Sequence, residues 1–307
     1  MILTYLLQMI RLTRAHIGIA VLPTFFLGSL FALVLGYDFN FIIFLIGFVI
    51  IFLIYASASY INDYYDFDAD RYNRQFGFSG GSGVLQKYPQ LKSITRRAGI
   101  LFIVLAFTLT SLLLLTTFMP WWSVFYIGLG AFFSYFYSAP PIQFSYRGFG
   151  EFPHFIAGLM NTGWGYMLLT GTIDLPVVIF AIPLSLHLLN VILIFEIPDK
   201  EADVHGGKKN FIVNHGRQKS FLLITIIFWV TTLYFTLLAL IGWYKEVINF
   251  EFLTLLSLIP SILSLGYYFK KQIRQKQATT QAIHVALSLF TFSIITLIYF
   301  LYLQFYN

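Results

Sequence analysis

Two short stretches of this sequence concentrate its acidic residues. One reads Asn62-Asp63-Tyr64-Tyr65-Asp66-Phe67-Asp68-Ala69-Asp70, the other Glu196-Ile197-Pro198-Asp199-Lys200-Glu201-Ala202-Asp203. Asp63, Asp66 and Asp70 repeat the spacing of Glu196, Asp199 and Asp203, with acids at relative positions 0, 3 and 7. On a helix this spacing sets three carboxylates on one face. Three like charges repel one another unless a cation lies among them. Asp68 and Glu201 fall off the shared face and read as ordinary solvated carboxylates. A solvated helix end would explain one such cluster, but not two matched ones in a chain this poor in charge.

The sequence has no cysteine, which removes disulfides, thiolate catalysis and Cys-based metal sites. Carboxylate oxygens suit Mg²⁺, which binds through few carboxylates plus substrate phosphate oxygens. The expected metal ligands are Asp63, Asp66, Asp70, Glu196, Asp199 and Asp203. Two facing clusters suit Mg²⁺ ions bridged by a diphosphate, the metal neutralising charge that develops on the leaving group. Cationic side chains would cover the remaining phosphate oxygens. Arg71, Arg74, Lys87, Arg147, Lys208 and Lys209 lie in the right stretches, though membrane topology explains each of them equally well. Gly206-Gly207 ahead of Lys208 permits close backbone approach. The glycine-rich residues 77–83 form either a phosphate-facing loop or a flexible connector.

The elements that must carry these groups follow from composition. The chain has 307 residues, 58% of them hydrophobic and 10% charged, against about 25% charged in soluble domains. Apolar runs near the roughly 20 residues needed to cross the hydrocarbon core recur at about 15–36, 40–61, 98–118, 120–138, 152–171, 175–195, 219–242, 252–269 and 283–304. The expected fold is an all-α polytopic membrane protein of nine transmembrane helices, with residues 1–307 as a single domain. The first run follows Arg11 and Arg14 and lacks a small-residue cleavage site, so it reads as a retained helix. Both acidic stretches directly follow an apolar run.

The net charge of +6 follows topology rather than nucleic-acid binding. With nine helices, every Lys and Arg except Lys245 falls on the N-terminal side of the membrane. That sorting puts the N-terminus and the acidic stretches in the cytoplasm. Residues 62–97 and 196–219 read as long polar connections on that side, with a shorter one at 138–151. Residues 270–281 form a basic connection without a carboxylate.

If a diphosphate is the leaving group, an apolar tail would lie among the helices. Loss of diphosphate from an allylic carbon leaves a cation, which aromatic faces stabilise. At 20% aromatic residues, composition alone cannot select one. Asn161, His187 and Asn190 lie within apolar runs, where polar groups line cavities or, more often, bond helix to helix.

Asn62, Asp63, Asp66 and Asp70 match the pattern N-D-x-x-D-x-x-x-D in full. Asp199 and Asp203 match D-x-x-x-D, followed by Gly207-Lys208-Lys209. Tyr137-Ser138-Ala139-Pro140-Pro141 and Tyr146-Arg147-Gly148-Phe149-Gly150-Glu151 form a third pattern. At these residues the sequence resembles the UbiA superfamily of intramembrane prenyltransferases. The resemblance implies a UbiA-like helical bundle whose two aspartate motifs hold Mg²⁺ and a polyprenyl diphosphate, and which attaches the prenyl chain to a small, usually aromatic, acceptor. It implies catalytic roles for Asp66, Asp199 and Arg147, and diphosphate contacts from Asn62, Arg71, Lys208, Lys209 and Tyr137. Gly80-Gly81-Ser82 and Val84-Leu85 look like the 1,4-dihydroxy-2-naphthoate polyprenyltransferases of menaquinone biosynthesis. Glu196-Ile197-Pro198-Asp199 and Asn210, which stands where that branch has Thr, depart from it.

Other classes fit less well. An ion-coupled transporter would carry its acids near the membrane midplane, whereas these lie at the ends of apolar runs. A non-catalytic isoprenoid-binding protein has no need of intact acidic triads.

Overall fold

The computed structural model describes residues 2–72, 81–271 and 274–306. Every regular element among them is helical. The N-terminal part forms α1 (Ile2–Leu12), α2 (Ala15–Val21) and α3 (Pro23–Val34). There follow α4 (Phe41–Tyr65), the single turn α5 (Val84–Lys87), α6 (Lys92–Thr116), α7 (Ser123–Phe136) and α8 (Glu151–Thr170). α9 (Leu175–Gly206), α10 (Phe211–Leu240), α11 (Phe250–Phe269) and α12 (Gln275–Tyr306) complete the bundle.

All nine apolar runs are helical, but they are not nine equal spans. Among the described residues, α4, α6, α9, α10, α11 and α12 are long and apolar enough to cross a membrane. A bent pair, Tyr5–Ile19 with Pro23–Val34, makes a seventh, its arms inclined at 52°. The break falls at Pro23, which has no N–H to continue the ladder. α7 has only 14 residues. α8 has 20 but carries Asn161, Thr162 and several glycines, and its residues from Met160 to Leu169 are buried. A helix that faces protein rather than lipid does not need a uniformly apolar surface. By length and composition, six of the described helices, or seven spans with the bent pair, meet what a crossing needs, against the nine expected.

Residues 196–219 were expected as a loop and are largely helix. An apolar run marks the hydrocarbon slab, not the end of the helix that crosses it. α9 continues through the acidic cluster until Gly207 adopts the left-handed conformation (φ 78°) that terminates helices. Asn210 then caps α10, its side-chain oxygen accepting from the Val213 N–H.

α8 and α9 form the centre. α8 packs against α3, α4 and α9, and α9 against α10 and α12. Polar groups within the bundle bond across helices because lipid offers no alternative partner. Trp164 Nε1 on α8 donates to the Gly47 carbonyl on α4 at 3.1 Å. The Asn190 amide on α9 donates to the Ile224 carbonyl on α10 at 3.3 Å. His187 sits between the rings of Phe228 and Phe292.

Candidate active site

The six expected acidic residues are all buried, none more than 8% exposed. They reach that position by different routes. Glu196, Asp199 and Asp203 stand on unbroken α9 at the predicted helical spacing. The first cluster corrects the helix-face argument: α4 ends at Tyr65 and Asp66 is its C-cap. The chain then tightens into a 3₁₀ turn over Ala69–Tyr72. The Asp66 N–H still bonds to the Asn62 carbonyl and the Asp70 N–H to the Asp66 carbonyl, both at 2.8 Å, so the carboxylates stay together although the helix does not continue. Gly206 lets the two clusters meet, because a Cβ there would press against Ala69.

A cavity of about 230 Å³ opens below the clusters. Asn62, Asp70, Glu196, Asp199, Asp203 and Lys208 line its polar end. Its deeper wall is apolar, formed by side chains such as Ile51, Phe133, Met160 and Leu188, and Asn161 is a polar exception there. Asp63 and Asp66 stand just behind the wall. Asp63 is ion-paired with Arg14 and accepts hydrogen bonds from the Ser82 hydroxyl and N–H. Asp66 accepts from the Tyr146 hydroxyl at 2.9 Å and faces the Lys208 ammonium at 2.8 Å. Lys208 is also 3.5 Å from Asp203, which accepts from the Asn210 amide at 2.7 Å.

The electrostatics follow from this crowding. Burial, reinforced by the charge of Asp66, pushes the Asp70 carboxyl up to about 8. Burial alone would lower the Lys208 ammonium, but Asp66, Asp203 and Asp70 outweigh it and hold Lys208 well above the usual lysine range. Burial and the Asp66 charge raise the Tyr146 phenol, which stays protonated and donates.

Several predicted contacts do not reach the cavity. Arg71 is exposed, pairs with Asp68 at 3.2 Å and lies over the Phe67 ring. Arg147 is exposed beyond the 3₁₀ turn Phe144–Tyr146, and its neighbour Tyr146 is the residue that reaches Asp66. Lys209 and Lys87 are exposed. Arg74 lies outside the described residues, as do residues 77–80 of the glycine stretch. Tyr137 and Asn62 do line the cavity. Asp68 and Glu201 stand apart as expected, but Glu201 is not simply solvated: it takes a two-pronged bond from the buried Arg217.

Sequence reasoning missed Arg14, Ser82, Tyr146 and Asn210 as neighbours of the carboxylates. Arg14 precedes an apolar run, where an arginine reads as topology. Asn210 stood out only as a substitution for Thr, yet its two side-chain atoms divide the work, one capping α10 and the other bonding Asp203.

The residues fit Mg²⁺. Among the described residues no three acidic or imidazole groups stand close enough to cage an ion. Mg²⁺ does not need a cage, since water and phosphate complete its shell. Among the described residues both Glu196 oxygens are buried with no donor in hydrogen-bonding geometry, a costly state that a cation would relieve.

The sequence model of the UbiA prenyltransferase family matches residues 21–297. The chain belongs to the UbiA prenyltransferase family. Solved UbiA structures share the fold at low identity. A UbiA homolog from Archaeoglobus fulgidus bound to DMAPP and Mg²⁺ superposes with a TM-score of 0.68 at 15% identity, covering 94% of this chain and 99% of that one. A structure of digeranylgeranylglyceryl phosphate synthase gives 0.64 at 17%, covering 95% and 98%. An apo UbiA homolog from Aeropyrum pernix K1 gives 0.59 at 16%, covering 91% and 97%. No curated protein matches the sequence.

Proposed function

We propose that this UbiA-family protein transfers a prenyl chain from a polyprenyl diphosphate to a hydroxylated aromatic ring, with Mg²⁺ as cofactor. The observation that carries this reading is the junction of two buried acidic clusters with an apolar cavity. A diphosphate fits the first and a prenyl tail the second. Support comes from the UbiA homologs solved with DMAPP or GPP and Mg²⁺. Asp63, Asp66, Asp70, Glu196, Asp199 and Asp203 would hold the metal, which neutralises charge on the leaving diphosphate. Lys208, already between Asp66 and Asp203, turns to the phosphate oxygens, and Asn62 and Tyr137 border them. The apolar walls orient the tail and exclude water from the allylic carbon.

The acceptor we propose is 1,4-dihydroxy-2-naphthoate, giving a menaquinone precursor. An electron-rich ring attacks an allylic cation readily, so the protein need mainly align the two. The support is the likeness of Gly80-Gly81-Ser82 and Val84-Leu85 to that branch. Gly81 and Ser82 sit against the carboxylates: a Cβ at Gly81 would strike Asp70, and Ser82 bonds Asp63. The test is purified protein with Mg²⁺ and geranylgeranyl diphosphate, offered dihydroxynaphthoate, 4-hydroxybenzoate, homogentisate or a glycerol-phosphate lipid. A prenylated 1,4-dihydroxynaphthalene, formed with loss of CO₂, is the expected product. Product from one of the others alone removes the menaquinone assignment and leaves prenyl transfer standing.

A further inference from the structure

α8 lines the cavity with His154, Ala157 and Asn161, spaced to share one helix face. His154 Nδ1 lies 3.1 Å from the Gly150 carbonyl oxygen. A carbonyl only accepts, so Nδ1 carries the proton and Nε2 holds a lone pair. Nε2 has no hydrogen-bond partner among the described residues. It is not sealed away either, since the ring is half-buried and forms part of the cavity wall. His187 differs in this respect, with its Nε2 buried beside Phe228 and Phe292.

The position of His154 matters as much as its free nitrogen. Tyr137 stands edge-on to it, ring centroids 5.2 Å apart, and Tyr137 is within electrostatic reach of Glu196 and Lys208. His154 is thus about one ring from the acidic end, where the wall changes from Glu196 and Lys208 to Phe133, Ala157 and Met160. A prenyl diphosphate with its head at the carboxylates and its tail on the apolar wall has its reactive carbon at this boundary. The acceptor ring must meet it there.

We propose that His154 is the general base of the transfer, taking the proton of the acceptor's ring hydroxyl. This rests on the reading of the acceptor as a hydroxylated aromatic ring. The allylic C–O bond breaks and its electron pair leaves with diphosphate. The ring carbon bonds to the allylic carbon while the hydroxyl proton passes to Nε2, leaving a neutral dienone. Where the attacked carbon bears a carboxylate, that C–C bond breaks, CO₂ leaves, and its electrons restore the aromatic ring as a phenolate. The phenolate recovers the proton from the imidazolium, so His154 ends as it began.

The experiment uses full-length protein in lipid nanodiscs with Mg²⁺ and geranylgeranyl diphosphate. H154N keeps a donor toward the Gly150 carbonyl and removes Nε2. H154Q sets an amide that cannot take a proton near the Nε2 position. Both are expected to slow transfer by about 10²- to 10⁴-fold, with KM for the prenyl diphosphate unchanged. Across hydroxylated rings of increasing acidity the deficit closes, because a hydroxyl already ionised needs no base. Wild-type transfer in either variant overturns the proposal, and so does an equal deficit at every acidity, which a packing role would give. A wild type inert toward every hydroxylated ring removes the functional reading and this proposal together, whereas selective failure of the His154 series removes this proposal alone.

Discussion

The Lys208 ammonium and the Asp66 carboxylate stand 2.8 Å apart, with Lys208 14% and Asp66 0% exposed. Asp66 comes from the first acidic cluster, and Lys208 follows the second and also faces Asp203. One cation therefore links the two halves of the site where a divalent ion is proposed to lie.

Removing that cation should cost the metal-free protein most. K208M leaves Asp66 buried with, among the described residues, Tyr146 as its hydrogen-bond donor, and breaking a buried pair from one side costs about 3–5 kcal/mol. Thermal unfolding in EDTA should show the loss. Mg²⁺ should recover most of it, while turnover stays down by roughly a hundredfold or more. Equal destabilisation with and without Mg²⁺ would show that Lys208 and the metal do not share these carboxylates.

The acids should separate into two groups. D66N and D199N abolish turnover while the protein still folds. D68N is silent, since Asp68 is exposed and, among the described residues, pairs with exposed Arg71. E201Q weakens the hold on Arg217 and lowers stability by about 1 kcal/mol at this half-exposed pair, with turnover per folded molecule intact. Loss of turnover in all four variants would defeat the assignment of the buried carboxylates.

Metal dependence should be absolute and should carry a pH signature. EDTA stops turnover and Mg²⁺ restores it. Asp70 is held up to about 8 by burial and by Asp66, so below that pH the ion must displace a proton. Mg²⁺ affinity should rise as pH climbs toward 8 and level off above it. Because the folded value lies above the ordinary carboxylate value near 4, the metal-free fold loses stability as pH rises across about 4 to 8. Calorimetric Mg²⁺ titrations and unfolding in EDTA at several pH values check both. Affinity independent of pH would exclude Asp70 as a ligand.

Sidedness can be read directly because the chain has no cysteine. Lys87 and Glu246 are exposed and lie at opposite ends of the bundle by the charge sorting. K87C should label only from the cytoplasm and E246C only from outside. Labelling of both from one side would overturn the topology.

The carboxylates were legible in the sequence because acids are costly in an apolar chain, and their repeated spacing is not an accident of composition. Among the cations, Lys208 was named, but nothing in the sequence told it apart from the rest. Lys208 and Lys209 are neighbours in sequence, yet one is buried between Asp66 and Asp203 and the other is exposed. Arg14 reaches Asp63 across 49 residues, a contact made only by tertiary packing. Each apolar run became a helix among the described residues, though not each a full span. Hydropathy misjudged where α9 and α10 end, because apolar runs report on the solvent around a helix and caps such as Gly207 and Asn210 decide its length.

α9 has 32 residues, about 48 Å at 1.5 Å per residue, against a hydrocarbon core of about 30 Å. With its apolar part in the slab, that surplus would carry Glu196, Asp199 and Asp203 beyond it, and residues of the apolar part such as Leu188 and Val191 line the cavity. An amphiphile bound along this helix keeps its head and its tail each in the phase it came from. Drawing the tail through water would forgo about 0.8 kcal/mol for every methylene, and this geometry never asks for it. The quantity that governs saturation is then the mole fraction of substrate in the bilayer, so the apparent KM should scale with the amount of diluting lipid rather than with the volume of the assay.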